Sequence, residues 1–152
     1  MLRYADYDIV FQEIPGEVTL AINISGCPNG CVGCHSAYLQ QDVGEQLDEE
    51  ALEKLLDRYG KNITCVSFMG GDSNPAEVNR LANFLKNKNL KTAWYSGRSN
   101  LSEVIELVNF NYIKLGPYIE KYGSLKSTTT NQRLYRIDGT EMVDITSVFW
   151  KK

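Results

Sequence analysis

Residues 63–78 read Ile63-Thr64-Cys65-Val66-Ser67-Phe68-Met69-Gly70-Gly71-Asp72-Ser73-Asn74-Pro75-Ala76-Glu77-Val78, and this stretch decides the fold class. Ile63 to Met69 is a nearly continuous apolar run without helical length, as expected for a strand covered on both faces. Gly70-Gly71-Asp72 ends it. Asn74 then supplies an N-cap, Pro75 suits the first helical position, and Glu77 is an acid at the third. Val78, Leu81, Ala82 and Leu85 follow at helical spacing. A strand that stops at glycines and passes into a capped helix is the building unit of an α/β sheet.

The flanking sequence repeats the theme. Upstream, Leu47, Ala51, Leu52, Leu55, Leu56 and Tyr59 share one helical face, with Asp48 as N-cap, Glu49 and Glu50 near the positive end and Gly60 as the stop. Tyr7 to Gln12 and Val18 to Ile24 are β-favouring runs on either side of Pro15-Gly16, which predicts a hairpin. Downstream, Lys91 to Tyr95 reads as a strand ending in Ser96-Gly97-Arg98. Leu101, Val104, Ile105 and Val108 predict a short helix capped by Asn100, and Tyr112 to Leu115 the next strand.

Beyond Gly116 the pattern weakens. Lys126 to Gln132 is a polar loop, Arg133 to Ile137 a strand, Asp138-Gly139 a turn, and the tail after Met142 a final strand or a packed terminal segment. Strand and helix alternate, so right-handed crossovers and a mostly parallel sheet are expected. The 152 residues form one domain, 1–152, with too few strands for an eight-stranded barrel, which needs about 250 residues. The expected architecture is α/β, a partial (open) parallel β/α barrel.

Hydrophobic residues make up 43% and charged residues 23% of the chain, which is globular composition. The net charge of −3 provides no basic surplus to attract a phosphate backbone or anionic lipid, so neither nucleic acid nor membrane is an expected partner. No apolar run approaches the roughly 20 residues of a spanning helix, and Met1 to Asp6 lacks the apolar core of a signal peptide. The expected location is cytoplasmic.

Three of the four cysteines fall within eight residues, in Cys27-Pro28-Asn29-Gly30-Cys31-Val32-Gly33-Cys34-His35. Such clustering favours metal ligation over disulfides. The segment is too rich in Gly and Pro for regular structure, which places the cysteines on a loop after the strand that ends at Ser25-Gly26. Thiolates ligate iron–sulfur clusters, and a cubane held at three corners leaves one iron open to an outside ligand. The Cys-x-x-x-Cys-x-x-Cys spacing lets one loop wrap three corners, with Gly26, Gly30 and Gly33 relieving so tight a path.

This spacing resembles that of the radical S-adenosylmethionine superfamily, and the stretch Cys27 to His35 resembles its anaerobic ribonucleotide reductase activating proteins. The resemblance extends to Gly70-Gly71-Asp72, to Trp94-Tyr95-Ser96-Gly97-Arg98 and to Asn131-Gln132-Arg133, and so covers most of the chain. It implies a partial barrel of the radical S-adenosylmethionine type. It further implies a 4Fe-4S cluster on Cys27, Cys31 and Cys34 that chelates S-adenosyl-L-methionine through its open iron. One electron, from a flavodoxin or ferredoxin, then releases a 5'-deoxyadenosyl radical. The implied protein substrate is anaerobic ribonucleoside-triphosphate reductase, on which a glycyl radical forms.

Carried over on the same resemblance, Gly70 and Gly71 let backbone carbonyls meet the methionyl ammonium, and Asp72 adds charge complementarity. Ser96 offers a hydroxyl to a ribose and Arg98 a guanidinium to a carboxylate. The superfamily often has an aromatic residue just before the third cysteine to pack on adenine. Gly33 stands there in this chain, so adenine must find another surface.

Other readings stay open at this level. A zinc site completed by His35 or Cys65 needs the same thiolates, although zinc ribbons use paired spacings rather than a triplet. The radical chemistry could also serve another glycyl radical enzyme or a small molecule. Cys65, inside an apolar run, is expected to pack in the core.

Overall fold

The computed structural model describes residues 2–25 and 44–150. The triplet Cys27, Cys31, Cys34 and its neighbour His35 lie outside the described residues. The first two strands, β1 (Leu2–Val10) and β2 (Thr19–Ile24), form the expected hairpin. A three-residue strand, β3 (Glu45–Leu47), adds to the outer edge of β1. Then come α1 (Glu49–Tyr59), β4 (Cys65–Met69), α2 (Pro75–Lys86), β5 (Lys91–Tyr95), β6 (Tyr112–Leu115), β7 (Arg133–Asp138) and β8 (Glu141–Asp144).

Both helices start as their caps dictate. The Asp48 side chain accepts from the Ala51 N–H, and that of Asn74 from the Glu77 N–H.

One eight-stranded sheet results, in the order β3-β1-β2-β4-β5-β6-β7-β8, and it does not close. The four central strands β2, β4, β5 and β6 are parallel. The pairings β3–β1, β1–β2, β6–β7 and β7–β8 are antiparallel. The sheet is therefore mixed rather than mostly parallel. After β6 no helix supplies a crossover, so β7 and β8 turn back on their neighbours instead. The segment after Asn100 also departs from expectation: in place of a helix it makes turns and one 3-10 turn at Leu107–Asn109. One side chain of α2 takes up a backbone donor there: Asn79 Oδ1 accepts from the Glu106 N–H at 2.9 Å, and also from Asn109 Nδ2 at 3.1 Å.

Alternation along the strands sorts residues onto two faces. Leu20, Ile22, Ile24, Val66, Phe68, Trp94 and Ile113 pack with Leu52 and Leu55 of α1 and Val78, Leu81 and Leu85 of α2 into the main core. The opposite face holds a smaller cluster, in which Ile14, fully buried on the β1–β2 connection, packs on Cys65 and Ala93 with Tyr95 and Tyr112 beside them. The connection is held there by the Tyr95 hydroxyl, which donates to the Glu13 carbonyl. It is held also by Glu17, whose carboxylate accepts from Thr64 (2.7 Å), Lys91 (2.7 Å) and Tyr112 (3.1 Å). The chain thus covers the starts of its parallel strands with its own hairpin loop. Among the described residues no helix is long and apolar enough to cross a membrane.

Burial pushes the Glu17 pKa up, but the hydrogen bonds from Lys91 and Thr64, the Lys91 charge and the Tyr112 hydroxyl outweigh it, and the net shift is downward. A folded pKa below the unfolded value gives stability that is fully present above the unfolded pKa, near 4.3 for glutamate as an approximate reference, and is lost as pH falls through the lower folded value. Lys91 is half exposed, so its share is screened. Glu17→Gln is expected to cost about 2 kcal/mol at pH 7 through three weakened hydrogen bonds. Urea midpoints measured at pH 7 and pH 3 check this. The gap between wild type and variant should narrow in acid, and a constant gap contradicts the ionised-carboxylate account.

Candidate functional site at the strand ends

The parallel strands all end at one edge. There lie Ser25 after β2, Gly70 to Asp72 after β4, Ser96 to Arg98 after β5 and Gly116 after β6. Because β7 is antiparallel, with Leu115 opposite Arg133, its preceding residues Asn131 and Gln132 arrive at this edge as well. The Ser25 N–H donates to the Arg3 carbonyl at 2.9 Å, and Arg3 Nη1 donates to the Gly44 carbonyl at 3.2 Å. The two described residues that flank the cysteine-bearing segment are thus both tied to Arg3. Cys27 follows Ser25 by two positions in the sequence.

Gly70 and Gly71 have φ values of +110° and +98°, which side chains other than hydrogen rarely allow. A Cβ on Gly71 would also lie 2.6 Å from Cγ2 of Val78 on α2, so glycine there lets the helix pack on the strand end. The Gly70 carbonyl accepts from the buried Trp94 indole at 2.7 Å, and that of Gly71 from the Asn74 N–H at 3.0 Å. Each carbonyl oxygen has a second lone pair.

Asp72 and Ser96, 24 residues apart in sequence, meet directly. The Ser96 hydroxyl donates to Asp72 Oδ1 at 2.6 Å and the Gly97 N–H donates to Oδ2 at 2.8 Å. The Arg98 N–H donates to the Ser96 hydroxyl at 3.2 Å. Asp72 and Ser96 are both buried, at 4% and 1% exposure, so these bonds form in low dielectric, where they are strongest. The carboxylate therefore ties the β4 end to the β5 end. Arg98 joins the group through its backbone, its carbonyl accepting from the Gly116 N–H at 2.7 Å, and its side chain is exposed.

One residue escapes the sequence reading. Lys114 is 8% exposed, and its ammonium donates to the Ser96 carbonyl at 2.9 Å and the Gly116 carbonyl at 3.0 Å, 5.5 Å from the centroid of the Tyr95 ring. The one signal was a lysine inside the strand Tyr112-Ile113-Lys114-Leu115. A buried cation needs such partners.

The donor set for a metal can be weighed from the cysteine count. Of the chain's four cysteines, Cys65 is fully buried at the start of β4, and burial pushes its thiol up to about 12. Five residues of strand, roughly 3.3 Å each, separate it from the edge at Gly70. Cys65 is thus held protonated and remote from the edge, unsuited to be a fourth thiolate ligand. Among the described residues no group of three His, Cys, Asp or Glu side chains could hold a metal ion. Three thiolates, from Cys27, Cys31 and Cys34, remain, and their chemistry suits an iron–sulfur cluster.

No protein of curated function matches the chain. A family model described as a 4Fe-4S single cluster domain matches residues 15–135, which takes in the cysteine triplet, the strand-end edge and the first half of β7. With that match over more than three quarters of its length, the chain belongs to the family of 4Fe-4S single cluster domains.

Proposed function

We propose that this iron–sulfur protein is a radical S-adenosylmethionine activase that generates a glycyl radical on anaerobic ribonucleoside-triphosphate reductase. The observation that carries the reading is the mismatch between one four-iron cluster and three available thiolates. The family supplies the cluster, and the burial of Cys65 supports Cys27, Cys31 and Cys34 as the thiolates that would hold it. The fourth iron is then open to the amino and carboxylate groups of S-adenosylmethionine. When bound, cluster and cosubstrate together supply one-electron cleavage of a sulfur–carbon bond, with the electron coming from a flavodoxin or ferredoxin.

The polypeptide's own part is to bind and to orient. The Gly70 and Gly71 carbonyls each retain a lone pair for the methionyl ammonium, and the Arg98 guanidinium, exposed after the neighbouring strand β5, is offered to a carboxylate. Asp72 and Ser96 act one step back. Their mutual bond and the Gly97 N–H hold the two turns at fixed separation, and Lys114 fastens the turns after β5 and β6 beneath them. Rigid turns at the carboxyl ends of parallel strands are where open α/β sheets place their ligands.

Anaerobic reconstitution with iron and sulfide tests the reading. Reduced protein given S-adenosylmethionine should yield 5'-deoxyadenosine. On addition of the anaerobic reductase it should also produce the electron paramagnetic resonance doublet of a glycyl radical. An intact cluster with no 5'-deoxyadenosine rejects the radical chemistry. Product without a doublet on the reductase, but with one on a different glycyl radical enzyme, reassigns the partner. Stoichiometric zinc and no iron in anaerobically purified protein replaces both with a metal-stabilised interaction module.

A further inference from the structure

We infer that Asn131 reads the base of the bound nucleoside, its side-chain carbonyl accepting from the exocyclic amine of adenine; this rests on the S-adenosylmethionine reading above. The Asn131 amide is oriented by its own contacts. Nδ2 donates to the Pro117 carbonyl at 3.0 Å, and flipping the amide would set two carbonyl oxygens against each other, so Oδ1 faces away. That Oδ1 is buried and, among the described residues, has no hydrogen-bond partner. A buried acceptor without a donor is costly and rare, and each case calls for an explanation.

The surroundings block an internal remedy. Thr130 Oγ1 accepts from the Gln132 N–H at 3.0 Å and donates to the Gly123 carbonyl at 3.1 Å, which locks the backbone on both sides of Asn131. Gly116, whose Cβ would lie 3.3 Å from the Asn131 carbonyl oxygen and 3.6 Å from its Nδ2, is itself fixed by its bond to Arg98. The orphaned oxygen is thus held by a rigid frame at the edge shared with Gly70, Gly71 and Arg98.

Among the described residues no group supplies the donor, and the order of the strands points to a ligand that does. From the end of β4 to the start of β7 is three strand spacings of roughly 4.8 Å each. A ligand whose methionyl end meets Gly70 and Gly71 and which lies across the strand ends brings its base, not its amino acid, to β6 and β7. Adenine presents there an amino donor and the adjacent N7 acceptor. The asparagine amide matches that pair, with Oδ1 accepting from the amine and the second Nδ2 proton reaching N7. Gly33 leaves no aromatic ring before the third cysteine, so a polar contact with the base edge takes on the selection of adenine.

Equilibrium binding tests this without turnover. Cluster-loaded protein is titrated anaerobically with S-adenosylhomocysteine and with S-inosylhomocysteine, in which a 6-oxo group replaces the amine. Wild type should prefer the adenosyl compound at least tenfold. Asn131→Leu should lose about that factor for the adenosyl compound and bring the ratio close to one, whereas Asn131→Asp, which keeps an acceptor oxygen, should retain part of the preference. Circular dichroism and cluster absorbance confirm that the variants are intact. Should the leucine variant not fold, the wild-type ratio and the aspartate variant decide the matter. Wild type that binds both compounds equally, or a leucine variant that keeps the wild-type ratio, overturns the role of Asn131 and leaves the cofactor reading standing. Wild type that binds neither them nor S-adenosylmethionine overturns both.

Discussion

Cys31→Ala protein, reconstituted anaerobically, is expected to lose its four-iron absorbance and, on the radical chemistry proposed above, to form 5'-deoxyadenosine only at background level, while Cys65→Ser retains both. The contrast follows from the separate situations of the cysteines. A cubane held by three thiolates has no spare protein ligand, so removal of one leaves two irons without a protein donor. Cys65 cannot substitute. It is fully buried on the inner face at the start of β4, among Ile14 and Ala93, and its thiol is pushed up to about 12 by desolvation. Metal-bound cysteine must be the thiolate, and this environment disfavours it. Iron and sulfide content, visible absorbance and product chromatography on matched samples check the pair. Loss of the cluster in Cys65→Ser with retention in Cys31→Ala reverses the ligand assignment.

The elements that local chemistry alone determines were legible before the structure. Asp48 and Asn74 cap their helices, Lys91 to Tyr95 is a strand to the residue, and the Pro15-Gly16 turn lies within the hairpin connection. Three features were not legible, each for its own reason. The helix expected around Val104 gives way to turns because Asn79, on α2, occupies the backbone N–H of Glu106. Strand β3 has only three residues, and Leu47 alone among them is buried, so it left almost no pattern. The antiparallel partners of β6 follow from the lack of a helix after it, which composition signals only weakly.

The candidate site divides in the same way. Glycines and polar residues just past strands marked Gly70 to Asp72 and Ser96 to Arg98, but what those residues do depended on pairing. Asp72 and Ser96 turn toward each other rather than outward. Lys114 is buried against carbonyls from two loops that no local window connects. The cysteine triplet was the most legible feature in the sequence, and its structural setting lies outside the described residues.

Gly71→Ala is expected to destabilise the folded protein by about 3 kcal/mol, from two separable sources. At φ +98° an alanine is strained, and positions of this kind cost about 1–3 kcal/mol. The new methyl would also lie 2.6 Å from Val78 Cγ2, inside any real carbon contact, with α2 seated on the main core through Leu81 and Leu85. Because both sides are fixed, the overlap adds roughly 1–3 kcal/mol of overpacking. Val78→Ala in the Gly71→Ala background makes room, so the double variant should be more stable than additivity of the two single losses predicts, by about 1 kcal/mol or more. The remaining deficit is the packing lost at Val78 together with backbone strain, which no neighbouring substitution relieves. Urea denaturation of the four proteins closes the cycle, and strict additivity shows that the clash is absent and φ alone demands glycine. S-adenosylhomocysteine affinity, measured on the same set, separates fold from site. If glycine serves only helix packing, the double variant recovers affinity with stability. If the second lone pairs of the Gly70 and Gly71 carbonyls also receive the methionyl ammonium, affinity stays low after the packing is repaired, because strain at φ +98° has turned those carbonyls away.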